Sequence, residues 1–200
     1  MARQLLERGA DVLAFDPGTG VLRRARDRTP GLRAVICEAA AVALRSHLLD
    51  IACFGQSWHW VDQAAGAREM ARLLRPGGWW AAWWNHPWAD GEAWFDRYHG
   101  LVESVCPGFS RHQRNVDWCS EAIGAHGSFE RPQRHVVPWD RQVTVDEWLT
   151  DLRSHSYVID LNSAERTELL AAVRAVLSQS FPDGLMLVPY QTRVWMAQRS

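Results

Sequence analysis

A cluster of polar and aromatic side chains in the first third of the chain has the residue types needed for chemistry. Gln56, Ser57, Trp58, His59 and Trp60 follow one another directly after an apolar run. Histidine titrates near neutral pH, so His59 could act as a general base or orient the group that reacts. Alternatively, His59 packs between its two tryptophan neighbours, and both interpretations stay open at this point.

Two acidic residues follow earlier short apolar runs and could bind a polar ligand. Asp16 precedes Pro17 and Gly18, and Glu38 precedes Ala39. A carboxylate can accept two hydrogen bonds from neighbouring hydroxyl groups, as the acidic residue of dinucleotide-binding folds does. The alternatives are structural, because Asp-Pro-Gly forms turns by itself and Glu38 could be a solvated loop residue.

The segments around the central cluster predict a strand–helix–strand unit. Leu49–Gly55 is apolar on both faces, as buried parallel strands are, and Asp62 can cap a helix that runs to about Leu74. Residues 75–78 (Arg-Pro-Gly-Gly) predict a tight turn, and Trp79–Trp84 the next strand. In such a unit the first strand ends at the rim of the sheet, where open α/β sheets bind ligands.

Strands and helices also alternate at the start of the chain. A helix over Arg3–Arg8 is followed by a strand over Asp11–Phe15, a helix over Val21–Arg28 and a strand over Arg33–Cys37. Alternating strands and helices predict an α/β fold with a mostly parallel sheet and right-handed crossovers. No linker or repeat is visible, so residues 1–200 are predicted to form a single domain.

The second half of the chain predicts more helices and two long strands. The predicted elements are helices over 90–105 and 116–125, helices that begin at Thr144 and Asn162, and strands over 129–139 and 185–196. Two of these helices begin with a capping box, and the C-terminal strand is predicted as an antiparallel edge strand. Residues 90–125 and 144–157 are predicted to form a lid or substrate cap.

Composition and charge argue against several classes of function. The net charge is −1 and no basic run occurs, so neither a nucleic acid nor a membrane surface is an expected partner. No apolar run approaches the ~20 residues of a membrane span and no signal peptide is visible, which predicts a cytoplasmic protein. The four cysteines lack the spacing of metal ligands, so no metal site is predicted.

Four stretches of the chain resemble conserved blocks of the class I S-adenosylmethionine-dependent methyltransferases. They are residues 9–26, 35–40, 50–62 and 74–78, and the resemblance extends over residues 3–198. The His-Trp pair within the third block is typical of the methyltransferase type 11 or trans-aconitate methyltransferase-like branch. The resemblance implies a Rossmann-like sheet and an enzyme that transfers a methyl group.

The same resemblance implies S-adenosyl-L-methionine as the cofactor. The implied cofactor-binding residues are Asp16, Pro17, Glu38, Ala39, Gln56, Ser57 and Trp58. Asp16 matches the acidic residue that binds both ribose hydroxyls, and Glu38 matches the one that contacts the adenine amino group. His59 is the implied catalytic residue, with Trp60 and Asn85 as substrate-binding residues. The implied substrate is a small molecule, and oxygen is the expected acceptor atom.

One part of the family pattern has no counterpart in the sequence. The family opens with a strand and a glycine-rich loop, which are expected upstream of Met1, so the first central strand would be missing and cofactor binding weak or absent. One alternative is therefore a truncated or degenerate, non-catalytic methyltransferase fragment. Another is a different Rossmann-like enzyme such as a nicotinamide oxidoreductase, which the absent glycine fingerprint and the turn at 75–78 disfavour.

Overall fold

The structure is a computed structural model that describes residues 1–106, 109 and 117–200, with helices and strands alternating through its first half. The helices are α1 (Ala2–Glu7), α2 (Thr19–Arg28), α3 (Gln63–Leu73), α4 (Ala93–Val105), α5 (Glu121–Ala125), α6 (Val145–Arg153), α7 (Ser156–Ile159) and α8 (Ser163–Ser180). The strands are β1 (Leu13–Asp16), β2 (Arg33–Ile36), β3 (Leu49–Gly55), β4 (Leu74–Pro87), β5 (Gln133–Thr144) and β6 (Leu185–Gln198).

The strands form a two-stranded sheet of β1 and β2 and a four-stranded sheet with the order β3-β4-β6-β5. The β1–β2 and β3–β4 pairs are parallel. Backbone hydrogen bonds from Gly77 N–H to Arg199 O and from Trp88 N–H to Pro189 O show that β6 runs antiparallel to β4. The α/β fold with parallel strands and an antiparallel edge is confirmed. The edge, however, is β5, and the C-terminal strand β6 lies between β4 and β5.

The parallel sheet is interrupted between β1 and β3. Within the described residues, β1 forms a ladder on one side only, with β2, and β3 on one side only, with β4. Ile36 at the end of β2 and Ile51 in β3 are exposed, at 61% and 57%. The interruption lies where the methyltransferase resemblance expects a further strand.

The predicted turn at residues 75–78 is a bulge inside β4. The register steps from Leu49 opposite Leu74 to Ile51 opposite Trp79, so several residues of β4 face one residue of β3. Gly78 is required there, because an added Cβ would lie 2.9 Å from the carbonyl oxygen of Arg75. The strand resumes at Trp79, as predicted.

Helix α3 connects β3 to β4 as expected for a parallel crossover. Its N-cap is Asp62, whose Oδ1 accepts a hydrogen bond from Ala65 N–H at 2.8 Å. The face with Met70 and Leu73 is fully buried. The predicted Asp62 cap is confirmed, and the helix ends one residue before the predicted Leu74.

Several other boundaries differ from the predictions. β5 covers Gln133–Thr144 instead of 129–139; Pro132 precedes it and has no N–H to donate to a ladder. The helix predicted over 116–125 begins with a 3-10 turn at Asp117–Ser120 and continues as α5, while residue 116 lies outside the described residues.

The chain divides into two compact units. The first comprises residues 1–84, 117–135 and 194–200, and the second residues 85–116 and 136–193. Strands β4, β5 and β6 each run through both. The predicted lid is divided between the two units: residues 90–116 and 144–157 fall in the second, and 117–125 in the first. Within it, residues 107, 108 and 110–116 lie outside the described residues.

Helices α4, α6 and α8 pack around the hydrophobic core of the second unit. Its buried members include Trp94, Phe95, Trp148, Leu169 and Val173. Both predicted capping boxes are present, one at the start of α6 and one at the start of α8. Each box satisfies backbone N–H groups in the first turn and so fixes where its helix begins.

Candidate functional site

Asp16 is the last residue of β1 and closes a tight turn into α2. Its Oδ1 accepts a hydrogen bond from Gly18 N–H at 2.7 Å. A Cβ at Gly18 would lie 2.9 Å from the same oxygen, so a larger residue there would displace the carboxylate. The turn role predicted for Asp-Pro-Gly is therefore present. It does not exclude ligand binding, because a carboxylate has about four lone-pair positions.

The parallel register places the second acidic candidate at the same sheet edge. Asp16 lies opposite Ile36, so Glu38 and Ala39 follow β2 at the end where Asp16 closes β1. Glu38 is exposed, and its carbonyl oxygen accepts a hydrogen bond from Ala41 N–H at 3.1 Å. The cofactor roles of these residues remain predictions.

An aromatic contact joins the carboxyl ends of β1 and β3. The ring centroids of Phe15 and Phe54 lie 6.0 Å apart in an edge-to-face arrangement. Phe15 immediately precedes Asp16, and Phe54 lies two residues before Gln56. The predicted ribose-binding residue and the polar cluster after β3 therefore lie at one rim of the first unit.

The chain turns sharply at Gln56. This residue has φ +54°, a left-handed conformation that non-glycine residues rarely adopt, and its N–H donates to Trp83 O at 2.8 Å. Its side chain is exposed, and that of Ser57 is half-buried. The turn directs the next residues out of the sheet and into a 3-10 turn over Trp58–Trp60.

Trp58 is a packing residue in this structure. Its side chain is fully buried, and its ring lies edge-on to Phe54 at 4.5 Å and to Trp80 at 5.2 Å. Its indole N–H donates to Cys119 O at 2.8 Å. A predicted contact with the cofactor would therefore have to come from the Trp58 backbone, while the side chain anchors the turn that carries His59.

His59 lies between two tryptophans, one exposed and one buried. Its Nδ1 accepts a hydrogen bond from the indole N–H of Trp84 at 3.2 Å, and its ring centroid is 4.8 Å from that of Trp60. Trp60 is 75% exposed. Partial burial of the imidazole lowers the pKa of His59, because a desolvated ring resists protonation. The neutral imidazole is therefore favoured at neutral pH.

Comparisons with known proteins identify the fold and the family. Residues 1–82 match the family model described as a methyltransferase domain. An uncharacterised methyltransferase of Mycobacterium tuberculosis is 31% identical over 196 residues, which is 96% of this chain and 76% of that protein. The chain belongs to the class I S-adenosylmethionine-dependent methyltransferases.

More distant methyltransferases agree with this assignment. An uncharacterised methyltransferase-like protein of Schizosaccharomyces pombe is 25% identical over 165 residues, 80% of this chain and 61% of that protein. A solved structure assigned as a type II methyltransferase of Anaeromyxobacter dehalogenans has a TM-score of 0.67 at 23% identity. That match covers 94% of this chain and 79% of the other. It supports the methyltransferase fold.

Asn85 belongs to the second unit of the methyltransferase. Its Oδ1 accepts a hydrogen bond from the Thr192 hydroxyl at 2.7 Å, and Thr192 Oγ1 accepts one from the indole N–H of Trp139 at 3.0 Å. The amide oxygen of Asn85 thus has a protein partner already. Its role in substrate binding remains a prediction.

Sequence reasoning missed an ion pair in α3 in which Glu69 is buried and the Arg72 side chain is 36% exposed. Glu69 accepts a hydrogen bond from Val42 N–H at 2.8 Å, and Arg72 donates to the carbonyl oxygens of Val42 (2.9 Å) and Leu44 (2.7 Å). The hydrogen bond from Arg72 holds the pKa of Glu69 below its usual range. In sequence, a Glu–Arg pair three residues apart looks like an ordinary surface pair.

A metal-binding cluster and a membrane-spanning helix are both absent from the part of the chain that the structure describes. No group of three or more His, Cys, Asp or Glu side chains there is arranged to hold a metal ion. None of the helices described is long and apolar enough to cross a bilayer.

Proposed function

We propose that this methyltransferase transfers the methyl group of S-adenosylmethionine to an oxygen atom of a small-molecule acceptor. The observation that carries the proposal is the Phe15–Phe54 contact, which brings the carboxyl ends of β1 and β3 to one rim. That rim carries an acidic residue on one side and the Gln56–Trp60 cluster on the other. Ligands of open α/β sheets bind at this edge.

The residues at the rim fit the cofactor in chemical type. Asp16 can accept hydrogen bonds from ribose hydroxyls while its Oδ1 keeps the turn to Gly18. Pro17, Glu38 and Ala39 border the same edge, and the exposed amide of Gln56 and the Ser57 hydroxyl offer further polar contacts. When bound, the cofactor supplies a methyl group on a sulfonium, and the chain's part is to align the acceptor and exclude water.

The side chains beyond the rim support a small acceptor that reacts through oxygen. The exposed ring of Trp60 offers an apolar surface on which a small molecule can pack. Desolvation lowers the pKa of His59 and favours the neutral imidazole, which can hydrogen-bond an oxygen of the acceptor without repelling the cofactor's positive charge.

A calorimetric titration with S-adenosylmethionine and S-adenosylhomocysteine tests the cofactor site. It compares the chain with Asp16→Asn, which keeps an acceptor for Gly18 N–H but loses the charge, and with Asp16→Ala, which loses both. We expect Asp16→Asn to weaken binding at least about tenfold with an unchanged melting temperature. Asp16→Ala should lower both.

The titration is repeated on a chain extended by the upstream in-frame codons, since the resemblance expects a strand and a glycine-rich loop there. Binding that is indifferent to Asp16→Asn, or no binding to either folded chain, would contradict the proposal. Methyl-labelled cofactor and a panel of hydroxy and carboxylic acids then identify the acceptor atom. Label recovered only on nitrogen or carbon would refute oxygen transfer.

A further inference from the structure

The indole of Trp84 determines which nitrogen of His59 carries the proton. The Trp84 Nε1 and His59 Nδ1 atoms are 3.2 Å apart. An indole N–H can only donate, so Nδ1 must be the acceptor. A neutral imidazole has one N–H group, and it is consequently on Nε2.

Trp84 is held in place by its surroundings, and the backbone of His59 by the turn that carries it. Trp84 is buried in β4, with 4% of its surface exposed, and packs edge-on against Trp195 with 5.6 Å between ring centroids. His59 is carried by the 3-10 turn that the buried Trp58 anchors. The packing of Trp84 keeps its indole N–H within reach of His59 Nδ1. His59 itself is exposed, and the hydrogen bond from Trp84 and the contact with Trp60 at 4.8 Å orient its ring.

We propose that Trp84 is a positioning residue that locks His59 in its Nε2–H form, so that His59 donates a hydrogen bond to the methyl acceptor and does not remove a proton from it. This inference rests on the proposed function, since it concerns the acceptor of the same site. The Nε2 atom already bears hydrogen and has no lone pair to take another proton. Protonation at Nδ1 would break the hydrogen bond from Trp84.

The tautomer constrains the chemical class of the acceptor. In a methyl transfer the acceptor oxygen forms a bond to the methyl carbon as the carbon–sulfur bond breaks and sulfur keeps the electron pair. Because no proton leaves through His59, the site favours an acceptor oxygen that is already ionised when it reacts. An oxygen acid that is an anion at neutral pH meets this condition, and an aliphatic alcohol does not.

Nitrogen-15 NMR of histidine-labelled protein measures the tautomer without any ligand. The His59 signals are assigned with His59→Gln, and the spectra compare the parent chain with Trp84→Phe and Trp80→Phe. Trp80 is the matched control, because it is buried in the same strand and its indole N–H has no acceptor within the described residues.

We expect a single Nε2–H pattern in the parent chain and in Trp80→Phe, and a mixture of tautomers in Trp84→Phe. A loss of stability common to both Trp variants cannot produce this difference. A parent chain with Nδ1–H, or a Trp84→Phe spectrum identical to that of the parent, would overturn the inference whether or not the protein binds its cofactor.

Turnover provides a second test that separates a donor from a base. The amide of glutamine can place an N–H near the former Nε2 but cannot accept a proton. His59→Gln should therefore keep activity within about tenfold of the parent on ionised acids, whereas His59→Ala should lose about a hundredfold. Equal losses in the two folded variants would contradict a donor role. Inactivity of the parent would count against the proposed function and leave the NMR result standing.

Discussion

Gln56 combines an unfavourable backbone conformation with a position at the candidate site. Its φ of +54° is in the left-handed region, where the Cβ of an L residue approaches backbone oxygen. Its side chain is exposed, so the conformation is not maintained by packing of that side chain. Such strain persists mainly where the surrounding structure enforces it, and it is concentrated at ligand sites.

Replacing Gln56 by glycine and by alanine should therefore measure the backbone strain at this position. We expect Gln56→Gly to be more stable than Gln56→Ala by about 1 kcal/mol, because glycine adopts positive φ without a Cβ clash. Ser57 has φ −137° and provides the control, since there Gly should be less stable than Ala. Urea unfolding followed by tryptophan fluorescence measures both pairs. An Ala variant as stable as the Gly variant at position 56 would show that the strain is absent.

At the scale of elements, α3 organises the segment between β2 and β3. Glu69 and Arg72 together bind one backbone N–H and two carbonyl oxygens of residues 42–44. These residues follow Glu38 and Ala39 along the chain, so the ion pair fixes the loop that the adenine-binding prediction depends on. Partly buried backbone groups such as the Leu44 carbonyl would otherwise lose a hydrogen-bond partner.

Removing the charge of Glu69 should loosen this loop. Glu69→Gln is expected to cost about 1 kcal/mol in the free energy of unfolding, because it weakens the hydrogen bonds that the buried carboxylate makes to Val42 N–H and Arg72. Glu7→Gln is the control: Glu7 pairs with Arg3 at 3.7 Å on the surface, and its loss should cost less than about 0.5 kcal/mol. Urea unfolding at neutral pH measures both, and similar costs would contradict a structural role for the Glu69–Arg72 pair.

The Glu69–Arg72 pair also predicts that the free energy of unfolding depends on pH. The pKa of Glu69 is lower in the folded chain than in the unfolded one, so the unfolded state binds more protons in acid. The stabilisation is present above the ordinary carboxyl pKa and is lost as the pH falls through the lowered one. The stability difference between the parent and Glu69→Gln should therefore shrink in acid, and a constant difference down to pH 3 would contradict this assignment.

At the scale of the molecule, local patterns predicted the elements better than the contacts between them. The Asp62 cap and both capping boxes are short-range patterns, and all three are present. The hydrogen bonds from Trp58 to Cys119 and from Trp84 to His59 connect residues that are far apart in sequence. A local sequence pattern cannot predict such contacts. The bulge at residues 75–78 was predicted as a turn for a related reason. The same residue types occur in bulges inside a strand and in turns between elements.

The interruption between β1 and β3 predicts that local stability differs between the strands of the first unit. A two-stranded sheet is marginal in water by itself, whereas β4 is paired on both sides, with β3 and β6. Backbone amides of β1 and β2 should therefore exchange hydrogen at least about tenfold faster than those of β4 at residues 79–84. Hydrogen exchange measured by mass spectrometry checks this.

In whichever chain binds S-adenosylmethionine, the given one or the extended one, the added cofactor should slow exchange in β1 and its turn, because a ligand held by Asp16 stabilises the state that binds it. Asp16→Asn provides the matched control, since it keeps the turn but is expected to lose most of this protection. Uniform exchange through β1, β2 and β4 would show that the two sheets open as one. In that case the Phe15–Phe54 contact and the packing of α2 would compensate for the missing ladder.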